Sequence, residues 1–469
     1  MNSKTQNVRR NSLLVFVGVV AQGGFRVLTN VLIGRAAGTV VLGQAAGLIA
    51  AAQVLTLLGP TSLAAAQTRF VASEGSEQAR TAIVRHVRRR VLQVGALIIA
   101  AAMFVWGEAL AAPAEELVAL AGLASGLMAY ALAKSHLLGL GRVRRLVASE
   151  VVTAALGLGL VLTMSVMGVR DIRLVWPVAA SAWSCAVLMW LQVRSTCDER
   201  HSYPDVDKFA ALGVLGTMVS AGFMQGSVLL AAKGIGGEQA GYYAAAFALA
   251  TPLSLLTTSI GTVLFPAFAG SLSDSARTRH LLFRGLQVMI GVLVPPLVFV
   301  MFLSPEITRM VWGPEFTAAS SILPVLICAI GFMGFGVPGS QALTSTGVSG
   351  MRTSVWIGAL GASTGMMAWL LLVPRLGVQG VGIGYAVGAG ITSLLPMIVM
   401  ARRLGLPWVD RCLRGWIVLT LASLVSVLLI LHGTGLIQRV AGFACVVGVW
   451  GVLTMLHAEK PRLTQEGGA

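Results

Sequence analysis

Charge is what this sequence has least of. Asp, Glu, Lys and Arg together make up 11% of its 469 residues, against roughly 25% in soluble domains. The length alone would suggest several soluble domains; the lack of charge excludes them. A disordered chain is excluded too, because 56% of the residues are hydrophobic. Cysteine is scarce: five residues, at 185, 197, 328, 412 and 445, with no CxxC and no Cys/His cluster. Neither a disulfide framework nor a metal site is indicated, and the cysteines read as small apolar residues in or near helices. Catalytic motifs are missing as well. There is no GxxxxGK followed by Ser or Thr, and no HExxH or GxSxG. The one Asp-x-Asp, Asp205-Val206-Asp207, stands in a short linker with no nucleotide-binding fold around it. The chain therefore reads as a non-enzyme that needs no cofactor.

What the sequence has instead is long apolar runs. The mean hydropathy is +0.83. Apolar segments fall at 12–33, 43–66, 91–107, 117–138, 147–168, 174–193, 209–232, 241–269, 286–303, 320–344, 353–373, 379–400, 415–432 and 438–456. Each is long enough for a helix crossing a bilayer, so the expected fold is an all-α polytopic membrane protein of about fourteen transmembrane helices. The net charge of +16 is distributed to match. Threaded through fourteen spans, one side of the membrane carries 25 Lys or Arg and the other 7, as the positive-inside rule requires. That distribution explains the basic cluster Arg85, His86, Arg88, Arg89, Arg90 without nucleic acid. It also predicts both termini in the cytoplasm, with the first apolar run an uncleaved helix rather than a signal peptide.

An internal repeat divides the chain. Gly43-Gln-Ala-Ala-Gly opens the second segment and Gly241-Tyr-Tyr-Ala-Ala opens the eighth. Gly43/Gly241, Ala46/Ala244, Ala50/Ala248, Leu55/Leu253 and Leu58/Leu256 match at this offset. Six spans per unit keep both units in the same orientation, a parallel repeat with a pseudo-two-fold axis along the membrane normal. The expected organisation is an N-terminal six-helix lobe (1–193), a cytoplasmic linker (194–208), a C-terminal six-helix lobe (209–405) and a C-terminal helix pair with a tail (406–469).

Polar residues inside the spans are the candidate site. Gln22, Arg26 and Asn30 recur every four residues and share one face of the first helix. An Arg within a span costs about 2.5–3.5 kcal/mol on insertion scales. Its face therefore lines a wet cavity, or else its head snorkels to the interface; Gln22 and Asn30 favour the cavity. Lys134, one turn after Tyr130, either snorkels or pairs with Glu150, the one carboxylate inside a span. Thr251, Ser254, Thr258 and Thr262 form a hydroxyl stripe, with Gln225 and Ser227 on the preceding span. Such a stripe suits a sugar-binding wall, and equally suits helix packing. Gly43/Gly47, Gly122/Gly126, Gly361/Gly365 and Gly384/Gly388 are packing pairs. Pro252, Pro295, Pro296, Pro324 and Pro338 are potential helix breakers.

Several short motifs keep a familiar order: Leu42-Gly43-Gln44, Leu58-Gly59, Arg69-Phe70-Val71-Ala72, Gly139-Leu140-Gly141-Arg142, Gly241-Tyr242-Tyr243, Leu264-Phe265-Pro266, Trp312-Gly313-Pro314-Glu315-Phe316 and Leu376-Gly377 with Gly380. Over roughly 10–405 the chain resembles the multidrug/oligosaccharidyl-lipid/polysaccharide exporter superfamily, and within it the polysaccharide (O-antigen-type) flippases. The resemblance implies a flippase that moves a polyprenyl-pyrophosphate-linked oligosaccharide from the cytoplasmic to the outer leaflet for cell-surface polysaccharide biosynthesis. It implies the bacterial cytoplasmic membrane, lipids and a lipid-linked glycan as partners, and glycan-assembly enzymes nearby. The terminal helix pair is one that lipid II flippases share. The alternatives are a cation-coupled multidrug exporter of the same superfamily and a membrane-embedded polysaccharide polymerase or ligase. The first usually needs an intramembrane carboxylate. The second needs an outer loop larger than any here. The expected substrate-binding residues are Arg26, Gln22, Asn30, Lys134, Gln225, Thr251, Ser254 and Thr258.

Overall fold

The computed structural model describes residues 3–109, 111–191, 203–270, 274–405 and 409–455. Every element among them is helical. The helices are α1 (Ser3–Leu57), α2 (Pro60–Ser73), α3 (Glu77–Phe104), α4 (Ala114–Gly139), α5 (Val143–Val166), α6 (Trp176–Leu191), α7 (Pro204–Thr217), α8 (Phe223–Leu229), α9 (Gly237–Ala269), α10 (Ser275–Phe302), α11 (Ser304–Trp312), α12 (Leu323–Ser345), α13 (Val348–Leu376), α14 (Val378–Arg403), α15 (Val409–Leu431) and α16 (Leu436–Met455). Among the described residues, ten helical stretches are long and apolar enough to cross a membrane, and two shorter apolar ones lie in α15 and α16.

The described part of each predicted apolar segment falls largely on helix, and two boundaries differ clearly. The first two segments run together as α1, bent at Gly38, whose φ of +81° is a left-handed conformation that glycine alone adopts at little cost. The second segment then breaks at Gly59, and Pro60 opens α2. Proline suits a helix start because its missing N–H has no partner there anyway. The proline-containing spans do not break. α10 runs through Pro295 and Pro296, and α12 through Pro338.

Helix starts follow charge. Glu115 and Glu116 lie in the first turn of α4, and Asp205 and Asp207 in that of α7, where the helix dipole favours anions. Arg402 and Arg403 close α14, where cations are favoured. Arg85, Arg88, Arg89 and Arg90 lie in the first half of α3, Arg142 immediately before α5 and Arg402 in the last turn of α14; the helix ends that carry them are called the basic face.

Helix flanks that face outward stay apolar. Leu97, Phe104 and Leu156 are exposed, as are Trp356, Leu370 and Ile437. A soluble protein would not tolerate such a surface; hydrocarbon does. α12 is buried on most sides, packed between α9, α10 and α14, while α15 lies against α10 and α12 and α16 against α10.

Small residues set the helix crossings. A Cβ at Gly361 would come 2.1 Å from Thr392 Oγ1 and 2.8 Å from the Gly388 carbonyl oxygen. One at Gly365 would meet the Gly384 oxygen at 2.9 Å. The predicted glycine pairs of α13 and α14 therefore face one another. The repeat glycines meet as well: a Cβ at Gly43 would sit 2.8 Å from the Gly241 nitrogen, and one at Gly241 only 2.0 Å from the Thr39 oxygen. α1 and α9 therefore cross at these two glycines.

Cys185 and Cys328 are buried, Cys445 is exposed, and all three are free thiols within helices. Cys197 and most of the linker predicted over 194–208 lie outside the described residues, as does the tail from 456.

Candidate functional site

A cavity of about 610 Å³ lies between the first and second halves of the chain, within the usual range of roughly 300–1,000 Å³ for ligand sites. α1, α4, α5 and α6 form one wall. α8, α9, α12 and α14 form the other. A side alcove of about 200 Å³, lined by Thr56, Leu57 and Ala131, shares Arg26, Gln53, Tyr130 and Gln225 with it.

Gln22, Arg26 and Asn30 all line the cavity. They point one way because their spacing of four keeps them on one stripe of α1. Arg26 is exposed to the cavity rather than packed among side chains, and no carboxylate pairs with it among the described residues. Its side chain reaches the space between the halves.

Gln225, Thr251 and Ser254 line the opposite wall. Gln225 enters because the helix around it is locally widened: Met218–Gly222 and Leu230–Ile235 are π-helical turns flanking α8, a device frequent at functional sites. The hydroxyls of Thr251 and Ser254 donate to backbone oxygens of their own helix, at 2.8 Å to Phe247 and 2.6 Å to Thr251. The Thr251 oxygen keeps lone pairs that can accept from a ligand hydroxyl. The side chains of Thr258 and Thr262 lie outside the description. Ser227 is buried and donates to the Met224 oxygen at 2.6 Å, away from the wall.

Lys134 departs from the expectation. It does not line the cavity; it stands behind the wall. Its ammonium donates to Glu150 Oε1 at 2.8 Å and to the Tyr130 hydroxyl oxygen at 2.9 Å. Tyr130 in turn donates to Glu150 at 2.5 Å. Tyr130 and Glu150 are the cavity-lining members of this trio, and Glu150 is only 3% exposed. Lys134 therefore does not snorkel. A buried carboxylate one helix away holds it, because an unpaired buried charge is far more costly than a paired one.

Other lining residues were not singled out from the sequence: Gln53, Thr153, Ser181, Ser220, Thr257 and Tyr385. Gln53 was the most legible of them, a lone amide in an alanine-rich run.

Contacts also join the two halves near the ends of the helices. At the basic face, Asp207 on α7 accepts from Arg90 on α3 at 2.9 Å and lies 3.1 Å from His86 Nε2. Arg69 on α2 stacks over Phe209, its guanidinium carbon 4.7 Å from the ring centre. At the opposite face Lys233 pairs with Glu116, and Arg35 donates to the Val311 and Met310 carbonyl oxygens at 2.7 and 2.6 Å, capping the C-terminal end of α11. Gly34 packs on Trp312, where a Cβ would come within 2.8 Å of the indole. Asp207 thus has a structural task, and His86 and Arg90 of the basic cluster do more than set topology.

Residues 98–321 match a family model described as polysaccharide biosynthesis protein. An uncharacterized membrane protein of Methanocaldococcus jannaschii is 23% identical over 249 residues, 52% of this chain and 48% of that protein. The chain thus spans about half the length of that relative. Among solved structures, the lipid II flippase MurJ in its inward closed conformation has a TM-score of 0.70 at 12% identity, covering 95% of this chain and 99% of that one. The MATE multidrug transporter DinF-BH has a TM-score of 0.64 at 14% identity, covering 85% and 95%. Identities this low speak for a shared fold only. The chain thus carries a stretch similar to a polysaccharide biosynthesis family and shares the fold of these membrane transporters.

Proposed function

We propose that this protein flips a polyprenyl-pyrophosphate-linked oligosaccharide across the bacterial cytoplasmic membrane by alternating access. One observation carries the reading: a single guanidinium, Arg26, without a carboxylate partner among the described residues, sits in a largely apolar cavity whose other polar groups are amides, hydroxyls and the Glu150 carboxylate that Lys134 holds. A pyrophosphate cannot enter hydrocarbon unaided, because the desolvation of unpaired charge is prohibitive. A guanidinium offers it a planar fork of donors in place of water. Gln22, Asn30, Gln53 and Gln225 supply further donors, and the Thr251 hydroxyl accepts from sugar hydroxyls, with Ser254 lining the wall beside it. The lipid tail stays in the bilayer.

In this reading 1–193 and 209–405 are two lobes that rock against each other around the cavity. The Asp207 cluster opens for loading. The Lys233–Glu116 and Arg35–α11 contacts open for release. The basic face lies in the cytoplasm by the positive-inside rule, with 406–469 an appended helix pair and tail. Glycan-assembly enzymes of the same route are the expected neighbours.

One observation favours a second reading, a multidrug exporter: Glu150 lines the cavity, and a carboxylate attracts cationic drugs. Lys134 already neutralises it, which favours the first. The test is flux in proteoliposomes, with a fluorescent lipid-linked oligosaccharide in one arm and a cationic dye in the other. Transport of the glycolipid alone supports the flippase. Transport of the dye alone overturns it.

A further inference from the structure

We propose that Lys134 sets the sign of charge this cavity accepts: held behind the wall, it cancels Glu150 and keeps the cavity an anion site, and without it the same walls suit a lipophilic organic cation. The inference deepens the headgroup reading above and rests on it. Among the described residues lining the cavity, two carry a formal charge, Arg26 and Glu150. Lys134 adds its charge from outside the lining, 2.8 Å from Glu150 and 2.9 Å from the Tyr130 oxygen. With Lys134 present, the trio is neutral and the surplus charge facing a ligand is that of Arg26. Remove Lys134, and Glu150 becomes the counter-ion of Arg26. The cavity then holds no net positive charge, and its carboxylate has lost the cation bonded to it.

Stability alone does not explain such a pair. Apolar replacements of buried ion pairs are often neutral or stabilising, and this one is built against the wall of a cavity. Its position also fits a permanent neutraliser rather than a moving latch. Lys134 is on α4 and Glu150 on α5, both in the first half of the chain. The pairs that join the halves, Asp207 with Arg90 and Lys233 with Glu116, must break when the halves move. This pair need not. The titratable and charged groups facing Glu150 come from three elements: Lys134 and Tyr130 on α4, Arg26 on α1 beside Tyr130, and Cys185 on α6. None but Lys134 is a cation bonded to the carboxylate among the described residues.

The experiment measures binding of two probes, farnesyl pyrophosphate and tetraphenylphosphonium, to full-length protein in phosphatidylcholine nanodiscs by calorimetry. The wild type is expected to bind the pyrophosphate and ignore the phosphonium. Lys134→Met should weaken the pyrophosphate and gain the phosphonium, each on the order of tenfold, the scale of one poorly screened charge. Lys134→Met with Glu150→Gln should restore the wild-type pattern, because the cavity then carries the charge of Arg26 alone. Glu150→Gln by itself should tighten the pyrophosphate, which keeps the test open if Lys134→Met fails to fold. Unchanged affinities in Lys134→Met, or a Glu150→Gln variant that binds the pyrophosphate no tighter, overturn the assignment. A wild type that binds no pyrophosphate overturns the headgroup reading instead. In that event a phosphonium affinity gained by Lys134→Met still supports sign-setting by Lys134, and no gain overturns it too.

Discussion

Replacing Arg26 by Gln removes the one cation lining the cavity among the described residues and leaves its shape nearly intact. The expected loss follows from the kind of contact. A hydrogen bond to a charged group is worth about 1.5–3 kcal/mol net, a neutral one about 0.5–1.5. A guanidinium bonded by two arms to a pyrophosphate, exchanged for one neutral amide contact, should therefore lose about 2–4 kcal/mol, or roughly 30- to 1,000-fold in affinity. Folding should not suffer, because Arg26 has no carboxylate partner to strand among the described residues and the insertion cost falls. Arg26→Lys should recover part of the loss: the charge remains and the fork is gone. The assay is restoration of surface glycan in a strain lacking the transporter, with membrane levels of each variant measured alongside, and affinity for a lipid pyrophosphate measured on purified protein. Full export by Arg26→Gln at equal expression refutes the argument. So does Arg26→Lys matching wild type while Arg26→Gln falls only slightly, the pattern of a snorkelling side chain.

The membrane fold was readable because hydrophobicity and charge speak on long scales. Runs of twenty apolar residues and a one-sided distribution of arginine survive any detail of packing. Arg26, Gln22 and Asn30 were readable for a related reason: polar residues are so rare in this chain that three on one helical stripe stand out. Lys134 shows where that logic fails. Its spacing from Tyr130 was visible, but which of the two faces the cavity depends on how α4 is rotated. That rotation is fixed by distant partners, Gly122 against Trp176 and Gly126 against Trp183. Glu150 could be placed near Lys134 across the α4–α5 hairpin, yet its access to the cavity depends on Gly18 of α1, where a Cβ would come 2.5 Å from Oε2. Thr257 was missed because it looks like any packing threonine in a Ser/Thr-rich helix. The Asp207 contacts were illegible for another reason: ion pairs between residues 117 and 121 positions apart leave no local pattern.

Three further outcomes test the packing and the contacts that join the halves. Gly361→Ala should lower the thermal transition in detergent by the equivalent of about 1–3 kcal/mol, since its Cβ would meet Thr392 Oγ1 at 2.1 Å. Gly159→Ala, with nothing within 4 Å, should match or exceed wild type; equal transitions for both variants refute the crossing geometry. Asp171 is held below the usual carboxylate range by its hydrogen bond to Arg173. Its contribution is present above its ordinary value near 4 and is lost as pH falls through the lowered one. Asp171 is almost fully solvated, so Asp171→Asn should leave the thermal transition between pH 5 and 8 unchanged, and a shift there refutes this assignment. The last concerns the basic face. Asp207 ties α7 to α3 through Arg90 and His86, and His86 Nε2 reaches it from a side chain that is 1% exposed. Asp207→Asn keeps the shape and removes the charge that both partners need. Exposed pairs contribute about 0–1 kcal/mol, and this half-buried one belongs near the top of that range, so the open population should rise roughly fivefold. Ser62 reports it, because α2 and α7 touch there: a Cβ on Gly213 would come 3.2 Å from the Ser62 Cβ. In a background lacking the native cysteines, Ser62→Cys should be alkylated by a water-soluble maleimide several times faster when Asp207→Asn is added. Equal rates would mean that Asp207 does not hold the basic face shut and that the aromatic contact of Arg69 with Phe209 suffices.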